Sequence, residues 1–305
     1  MSAEIVVIGS LNMDLVAFAP SLPRAGETVL GSRFFTACGG KGANQAVAAA
    51  RLGASVSMVG CVGADAFGSE LRAGLDTAGV DHTCVTTKPS ASGTALITID
   101  DQATNTIVVV PGAGGLLMPS DVDAAHALLA QCKLLVLQLE TPLATVLHAA
   151  QLAKQLGMKV VLNPAPVQAL GHELLSLIDI LVPNETEASV LSGMEVNSPM
   201  SAERAAQALR ARGVGSVIIT LGAQGCVAAS AQGVTHYPAP KVIALDPTAA
   251  GDTFVGGLCA ALVRGDELAH AIAFAQAAAA LSVTRAGAQP SMPSFAETTA
   301  FQKTL

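Results

Sequence analysis

The chain carries Asp246-Pro247-Thr248-Ala249-Ala250-Gly251-Asp252-Thr253-Phe254 between a short apolar run and a long Ala/Leu-rich run typical of a helix. Small residues at 249–251 allow a ligand to approach the backbone closely. Their N–H groups are expected at a helix N-terminus, where unpaired donors and the helix dipole favour an anion. Asp252 would then lie beside that anion and could accept a proton from a hydroxyl that attacks a phosphoryl group. An ordinary helix start with an acidic first turn would have the same sequence.

The composition permits one large domain or a domain with an appendage, and we expect a single domain over residues 1–305. Hydrophobic residues make up 51% of the chain and charged residues 13%, which is ample for a large core. The net charge of −7, the single Tyr, the absence of Trp and the absence of a Lys/Arg run argue against nucleic-acid binding. The longest apolar run, 268–284, is mostly alanine and contains His270 and Gln276, so we expect a buried helix rather than a membrane span.

Six widely spaced cysteines, with no CxxC and no His at metal-ligand spacing, indicate free thiols in a reducing cytoplasm. The chain enters a strand-like run at residues 5–8 with no basic segment or cleavage site before it, so no secretory signal is predicted and we expect a cytoplasmic protein. The sequence contains no GxxxxGK[ST] motif, and any nucleotide must therefore bind without a Walker P-loop.

From residue 124 onward, apolar strands alternate with helical runs, which predicts a mostly parallel sheet covered by helices on both faces. Polar residues cluster at the C-terminal ends of the predicted strands. The N-terminal ends, such as those at Lys159 and Ser216, show no similar cluster. Ligands of open α/β sheets bind along the C-terminal edge, so this asymmetry predicts one cleft there. The residues at the strand ends are Asn12, Asp14, Glu140, Asn163, Asn184, Glu187, Thr220 and Gly222.

Two segments, 12–38 and 91–111, do not follow this alternation. Their β-favouring residues predict short antiparallel strands outside the main sheet. The strand-like runs are 26–30, 33–35, 93–100 and 104–110, with the turn-like Asp101-Gln102-Ala103 between the last two.

Four motifs resemble those of the PfkB family of sugar kinases, and they occur in the family's order. They are Gly39-Gly40-Lys41-Gly42-Ala43-Asn44-Gln45-Ala46, Pro183-Asn184-Glu185-Thr186-Glu187, Ala249-Ala250-Gly251-Asp252-Thr253-Phe254 and Thr284-Arg285-Ala286-Gly287-Ala288-Gln289-Pro290-Ser291. The resemblance runs from residue 5 to 293 and implies a three-layer αβα sandwich with a mostly parallel central sheet. It also implies that segments 12–38 and 91–111 form a small β-sheet lid, which covers the sugar and often pairs with a second subunit.

The resemblance implies phosphoryl transfer from ATP to a sugar, with D-ribose and its 5-hydroxyl expected as acceptor. Asp252 would be the general base, and the backbone of Ala249, Ala250 and Gly251 would form the anion hole. Without a ligand, the glycine-rich motif could equally be a flexible loop, Asn12 and Asp14 a turn, and Glu140 a surface carboxylate. The residues expected to bind the sugar are Asn12, Asp14, Gly40, Lys41, Asn44, Glu140 and Asp252.

For the nucleotide, the resemblance implies backbone contacts along 220–225, with Gln276 near the adenine. Glu187 would orient waters on Mg²⁺, an ion that keeps its waters and takes few protein ligands. Asn184 and Glu187 also fit a capping box at a helix start, and both interpretations can hold together. The residues expected at the nucleotide are Asn184, Glu187, Thr220, Gly222, Gly225, Gly251 and Gln276.

A site for K⁺ as an activator is also implied, largely through backbone carbonyls of two adjoining loops. The same loops could be tied by hydrogen bonds with no ion. Pro247 departs from the family pattern, because relatives often have Thr there and Pro fixes φ and lacks an N–H. Val255 replaces a polar residue of some relatives. The residues implied at the ion are Asp246, Thr248, Ser282, Arg285, Gly287 and Ser291.

Several alternatives remain open: a related kinase for deoxyribose, another sugar or a nucleoside, and a non-catalytic sugar or nucleotide sensor on the same scaffold. The polar set favours a small furanose, and the scarcity of aromatic residues argues against a nucleobase. Deoxyribose lacks only one hydroxyl. Intact Asp252, Gly251 and Glu187 argue against a sensor. Lid strands with free edges favour a homodimer through the lid.

Overall fold

The computed structural model describes residues 3–102 and 104–305, and the chain folds around two β-sheets. In chain order the strands are β1 (Ile5–Ile8), β2 (Asn12–Phe18), β3 (Arg33–Gly39), β4 (Val56–Gly63), β5 (Asp81–Lys88), β6 (Gly93–Ile99), β7 (Asn105–Val110), β8 (Leu134–Leu137), β9 (Lys159–Leu162), β10 (Ile180–Leu181), β11 (Ser216–Thr220), β12 (Cys226–Ser230) and β13 (Gly233–Tyr237). The larger sheet has the order β13-β12-β11-β10-β9-β8-β1-β4-β5, and only β12 and β13 run antiparallel to their neighbours.

Helices cover both faces of the large sheet. They are α1 (Lys41–Arg51), α2 (Ala66–Ala78), α3 (Pro119–Ala124), α4 (His126–Leu129), α5 (Leu143–Gln155), α6 (His172–Leu175), α7 (Glu185–Ser192), α8 (Pro199–Ala211), α9 (Ala250–Arg264), α10 (Leu268–Ser282) and α11 (Phe295–Gln302). Alternate residues of β1 enter opposite cores: Val6 and Ile8 pack with α5 and α8, whereas Ile5 and Val7 pack with α1, α9 and α10. The predicted αβα sandwich is therefore confirmed, and the alanine-rich run forms the buried α10.

The smaller sheet, called the lid below, is formed by the two segments predicted as a lid and has the strand order β3-β2-β6-β7. The expectation that its strands are all antiparallel is wrong, because β2 pairs with β6 in parallel. The reason is topological: β2 leaves β1 and β6 leaves β5, and both of these belong to the parallel part of the large sheet, so the chain enters the lid twice in the same direction. Ala103, in the predicted turn between the last two lid strands, lies outside the described residues.

The strand expected at residues 26–30 is also wrong. This segment has no regular structure, and Leu30 is 88% exposed. Its β-favouring residues find no strand to pair with, and pairing decides strand formation more strongly than intrinsic preference. Within the described part of the chain, no helix has the length and apolar character needed to cross a bilayer.

The α1–α9 crossing decides where the site forms. At Gly256 of α9, an added Cβ atom would lie 2.5 Å from Ala48 Cβ and 2.9 Å from the Gln45 carbonyl oxygen of α1. Only glycine permits this approach. The contact brings the N-terminal turn of α1, with Asn44 and Gln45, against the N-terminal turn of α9, with Asp252.

We predict that Gly256→Ala lowers the free energy of unfolding by about 1–3 kcal/mol, because the added methyl must push two packed backbones apart. The same displacement should lower turnover, since each helix carries part of the site. Thermal or urea unfolding measures the first effect and a steady-state assay the second. Gly171→Ala is the matched control: Gly171 has an ordinary φ of −71° and open space around its Cβ position. Equal stability of the two variants would contradict the close-packing argument.

Candidate active site

The cavity that follows from this crossing has a volume of about 210 Å³ and lies at the C-terminal edge of the large sheet. Its lining brings together nine residues that the sequence placed at the cleft or in a binding role, and four others. The predicted residues are Lys41, Asn163, Asn184, Glu187, Thr220, Ala249, Ala250, Gly251 and Asp252, and the additional ones are Ala165, Val182, Pro247 and Val255.

The start of α9 forms one wall of the cavity. Ala249, the residue before the helix, has a φ of +58°, a left-handed conformation that costs a non-glycine residue on the order of 1 kcal/mol. This turn directs the first-turn backbone of Gly251 and Asp252 toward the cavity, where a helix has no carbonyl of its own to accept their N–H groups. The Ala250 N–H is already used, because it donates to the Pro247 carbonyl oxygen at 3.2 Å.

Asp252 is only 7% exposed, and each of its carboxylate oxygens accepts a hydrogen bond from a side-chain amide. Asn44 Nδ2 donates to Oδ2 at 3.1 Å, and Gln45 Nε2 donates to Oδ1 at 2.9 Å. Amide donors stabilise an ionised carboxylate without neutralising it. Asp252 is therefore held as an acceptor at the helix start, beside the N–H groups expected to bind an anion.

Asp14, Lys41 and Asn44, predicted from the sequence to bind the sugar, lie close to Asp252. Glu140 Oε2 accepts the Lys41 backbone N–H at 3.0 Å and the Ser10 hydroxyl. Asp252, with Glu140 and Glu187, raises the pKa of the Lys41 ammonium although burial opposes the charge. Burial, together with Glu140 and Asp252, raises the pKa of Asp14 from 3.8 to about 7. Glu140, Glu187 and Asp252 thus share the Lys41 cation, and hydroxyl donors of a polyol would satisfy their remaining acceptor sites.

The lid adds an apolar surface beside Asp14. The strand register places Asp14, Ala95 and Val109 side by side on one face, with Ile97 and Ile107 next along the same face. Asn12, the first residue of β2, is buried at the base of the lid. A ligand between the lid and the large sheet would meet carboxylates on one side and aliphatic groups on the other.

The residues expected at the nucleotide divide into two groups. Asn184 and Glu187 form a capping box at the start of α7, in which Asn184 Oδ1 accepts the Glu187 N–H and Glu187 accepts the Asn184 N–H, both at 2.9 Å. Thr220 pairs with Asn184 in a parallel bridge, so both line the cavity. Gln276 does not line this cavity and donates instead to the Tyr237 carbonyl oxygen at 2.8 Å.

The turn after β11 requires glycine for a steric reason. Gly225 has a φ of +91°, and an added Cβ there would lie 2.0 Å from the Tyr237 carbonyl oxygen. Gly222 also has a positive φ of +51°. The two glycines therefore shape the turn at the end of the strand that carries Thr220.

The residues present fit a hydrated Mg²⁺. Glu187 is a buried carboxylate that lines the cavity, and its capping bonds occupy only part of its acceptor capacity. Burial raises the pKa of Glu187, which the hydrogen bond from Asn184 and the charge of Lys41 only partly offset. A nearby divalent cation would relieve that penalty.

The two loops expected to hold a monovalent cation are tied together by Asp246. Its Oδ1 accepts the Thr248 N–H at 2.9 Å, and its Oδ2 accepts the Gly287 N–H at 2.8 Å. Burial alone would raise the pKa of Asp246, but these hydrogen bonds outweigh it and lower that pKa. Ser282 and Ser291 are fully buried, whereas Arg285 turns outward to Glu297 at 2.6 Å. The loops thus meet as predicted, already joined by hydrogen bonds.

Five polar residues of the site were not predicted in a binding role. Ser10, Gln138 and Asn163 follow the ends of β1, β8 and β9, and Gln45 and Gln289 lie inside recognised motifs. The signal for Asn163 was present in the strand-end pattern. The two glutamines in the motifs gave no signal, since an amide beside an assigned residue is not distinctive in sequence.

Comparison with known proteins decides the family. Residues 2–294 match the sequence model of the pfkB family carbohydrate kinases. This chain belongs to the pfkB family of carbohydrate kinases. As a pfkB kinase, it is an ATP-dependent sugar kinase with the ribokinase-like fold.

Two relatives of this pfkB kinase differ in their sugar. The chain is 46% identical over 303 residues to the ribokinase of Haemophilus influenzae, covering 99% of each protein. It is 39% identical over 293 residues to the deoxyribokinase of Salmonella typhi, covering 95% of this chain and 96% of the relative.

Two solved structures are similar to the whole pfkB kinase. The ribokinase of Arabidopsis thaliana complexed with ribose and ATP has a TM-score of 0.91 at 32% identity, covering 99% of each chain. An Escherichia coli protein assigned as a ribokinase II, in complex with ATP and Mg²⁺, has a TM-score of 0.83 at 25% identity, covering 99% of this chain and 100% of its own.

We predict that Asp14→Asn raises the free energy of unfolding at pH 8 by about 2 kcal/mol and by much less near pH 4. The folded pKa of Asp14 is raised from 3.8 to about 7, so the folded protein binds the proton more tightly than the unfolded chain. The wild-type protein therefore becomes less stable as the pH rises from 3.8 to about 7, and the neutral amide of the variant prevents this decrease. Urea unfolding at several pH values measures the difference in free energy of unfolding between the two proteins. A stability difference that does not change with pH would contradict the buried charge at Asp14.

Proposed function

We propose that this pfkB kinase transfers the γ-phosphoryl group of ATP to the 5-hydroxyl of D-ribose, with Asp252 as the general base. The observation that carries the proposal is the buried Asp252 carboxylate, held by two amides at the start of α9 and facing the cavity beside the first-turn N–H groups. The similarity to ribokinases over nearly the whole chain supports ribose as the acceptor.

The chemistry assigned to these residues is a direct displacement. The O–H bond of the sugar hydroxyl breaks, and its proton passes to Asp252. The hydroxyl oxygen forms the new bond to the γ-phosphorus while the bond to the β-phosphate oxygen breaks and ADP leaves. The N–H groups of Gly251 and Asp252 and the ammonium of Lys41 stabilise negative charge on the transferred group. No covalent enzyme intermediate is required.

Binding roles are proposed for the other residues. Asn12, Asp14, Gly40, Lys41, Asn44 and Glu140 hold the sugar, while Asn184, Thr220, Gly222, Gly225 and Gln276 lie along the nucleotide. Mg²⁺, whose waters Glu187 would orient, neutralises phosphate charge when bound. A K⁺ ion at the loops of Asp246 and Gly287 would stiffen the start of α9. Closure of the lid would exclude water and limit ATP hydrolysis.

Deoxyribose is the leading alternative, because a deoxyribokinase is among the relatives and the two sugars differ by one hydroxyl. The acceptors around Asp14 and Glu140 favour ribose, since a polar group that loses its partner is penalised in a buried site. Other sugars, nucleosides and a non-catalytic sensor have less support, and the retained carboxylate at Asp252 argues against a sensor.

We predict that ADP release with ATP and Mg²⁺ is fastest with ribose in a panel of ribose, 2-deoxyribose, fructose, 2-keto-3-deoxygluconate and adenosine. K⁺ should increase the rate if Pro247 leaves the ion site working. A preference for another compound would change the assigned acceptor and leave the proposed phosphoryl transfer unchanged. If no compound supports ADP release, the kinase proposal loses its support, and binding measurements on the same panel would test the sensor.

We predict that Asp252→Asn reduces kcat by at least about 1,000-fold while ribose binding stays within a few-fold of wild type. The amide keeps the size of the side chain and removes its ability to take a proton. Sugar-dependent ADP release measures the rate, and calorimetry measures binding. A variant that retains a near-normal rate would show that Asp252 is not the base.

A homodimer through the lid is also proposed. β3 and β7 are free edges of the lid sheet, every residue of β7 is exposed, and large apolar side chains such as Phe34, Leu96 and Val108 face outward. Light scattering should give twice the mass of one 30.5 kDa chain, and Val108→Lys should shift it toward the monomer. A monomeric wild-type protein would contradict this assignment.

The free thiols of all six cysteines support the cytoplasm as the compartment.

A further inference from the structure

A chain of side-chain amides reaches Asp252 from the edge of the large sheet. Gln138 Nε2 donates to Gln45 Oε1 at 2.7 Å, and Gln45 Nε2 donates both to Asp252 Oδ1 at 2.9 Å and to Asn163 Oδ1 at 3.1 Å. Asn163 Nδ2 then donates to the Val182 carbonyl oxygen at 2.9 Å. Every donor and acceptor of the Gln45 amide has a partner in this arrangement.

The direction of the chain is fixed by a backbone group. The Val182 carbonyl can only accept, so the Asn163 amide must direct its nitrogen there and its oxygen toward Gln45. Gln45 must in turn direct its nitrogen to Asn163 and Asp252, and its oxygen to Gln138. A reversed Gln45 amide would place its oxygen against two acceptors and its nitrogen against a donor. Gln45 is therefore held in the one orientation that donates to Asp252.

The anchors of this chain lie on rigid elements. Three neighbouring strands of the sheet, β8, β9 and β10, are followed immediately by Gln138, Asn163 and Val182, respectively. Gln45 is 1% exposed and lies in α1, whose close contact with α9 is set by Gly256. The Gln45 side chain is thus fixed by three strands and a helix.

We infer that Gln45 is a positioning residue that acts through Asp252, and this inference rests on the proposed role of Asp252 as the base. Asn44, the other donor to Asp252, is assigned to the sugar, so a bound hydroxyl competes for its amide. Gln45 is buried behind the carboxylate, lines no part of the cavity and keeps its bond to Oδ1 throughout. It holds the plane of the carboxylate while the other oxygen remains available to the substrate.

The test measures kcat and KM for Gln45→Leu, Gln45→Glu, Asp252→Asn and the double variant Gln45→Leu/Asp252→Asn, with single-turnover assays where rates are low. We expect Gln45→Leu to lower kcat by about 10- to 100-fold with little change in KM for the sugar, because a displaced reactive group loses rate more than binding. Gln45→Glu should lose more, since it keeps the acceptor for Gln138 but places an oxygen against Asp252.

The double variant separates positioning from a general structural role. If Gln45 acts through Asp252, Gln45→Leu should cost less than about 3-fold in the Asp252→Asn background. An equal loss in both backgrounds would overturn the inference, as would a Gln45→Leu enzyme with wild-type kcat. A near-normal rate for Asp252→Asn would instead remove the proposed base, whatever Gln45 does.

Two further variants guard against misfolding. Thr298→Val removes a buried hydroxyl bonded to the Ser294 carbonyl oxygen in the remote α11 and should leave kcat unchanged. If Gln45→Leu fails to fold, Gln45→Met takes its place, because it keeps the length of the side chain and removes the amide that donates to Asp252. A kcat for Gln45→Met equal to that of Thr298→Val would then overturn the inference.

Discussion

The close crossing of α1 and α9 is the constraint on which the site depends. Gly256 lets the two helices touch backbone to backbone, and their N-terminal turns then meet at the C-terminal edge of the sheet. One turn carries Lys41, Asn44 and Gln45, and the other carries Asp252. Neither turn is a site alone: the first has donors with no reactive group, and the second has a carboxylate with no means of orientation.

Burial of charge is the second physical theme. Glu140 and Asp252 both raise the pKa of Asp14, and the same two carboxylates, with Glu187, act on the Lys41 ammonium. Such a cluster is expensive in an empty protein, which explains the pKa of about 7 for Asp14. Sugar hydroxyls donate hydrogen bonds without adding charge, so binding relieves the cluster. The aliphatic face of the smaller sheet beside Asp14 would suit the carbon face of a sugar.

The sequence was informative where the chemistry is local. The motif from Asp246 to Phe254 located the helix start and the buried Asp252 carboxylate, and the strand-end pattern located the cleft. The direction of β2 against β6 could not be read locally, since it follows from how the chain crosses the large sheet between them. The strand expected at residues 26–30 failed because pairing is a tertiary property.

The amide chain shows the same limit at the level of single residues. Gln138 and Gln45 are 93 positions apart, and the orientation of both depends on a carbonyl of a third strand. Family resemblance supplied the residues expected to contact ligands, whereas the side chains that hold them were visible only in the folded structure. Gln289 extends this support from the far side, where it donates to Asn44 Oδ1 at 3.2 Å and links the loop near Gly287 to Asp252 through Asn44.

The central claim is that this edge of the sheet joins a phosphoryl group to one particular hydroxyl. The most direct test is to incubate the protein with ribose, ATP and Mg²⁺ and to identify the product by ³¹P and ¹³C NMR. We expect ribose 5-phosphate and ADP in equal amounts. Phosphate on another carbon, or ADP with free phosphate and unchanged ribose, would contradict it.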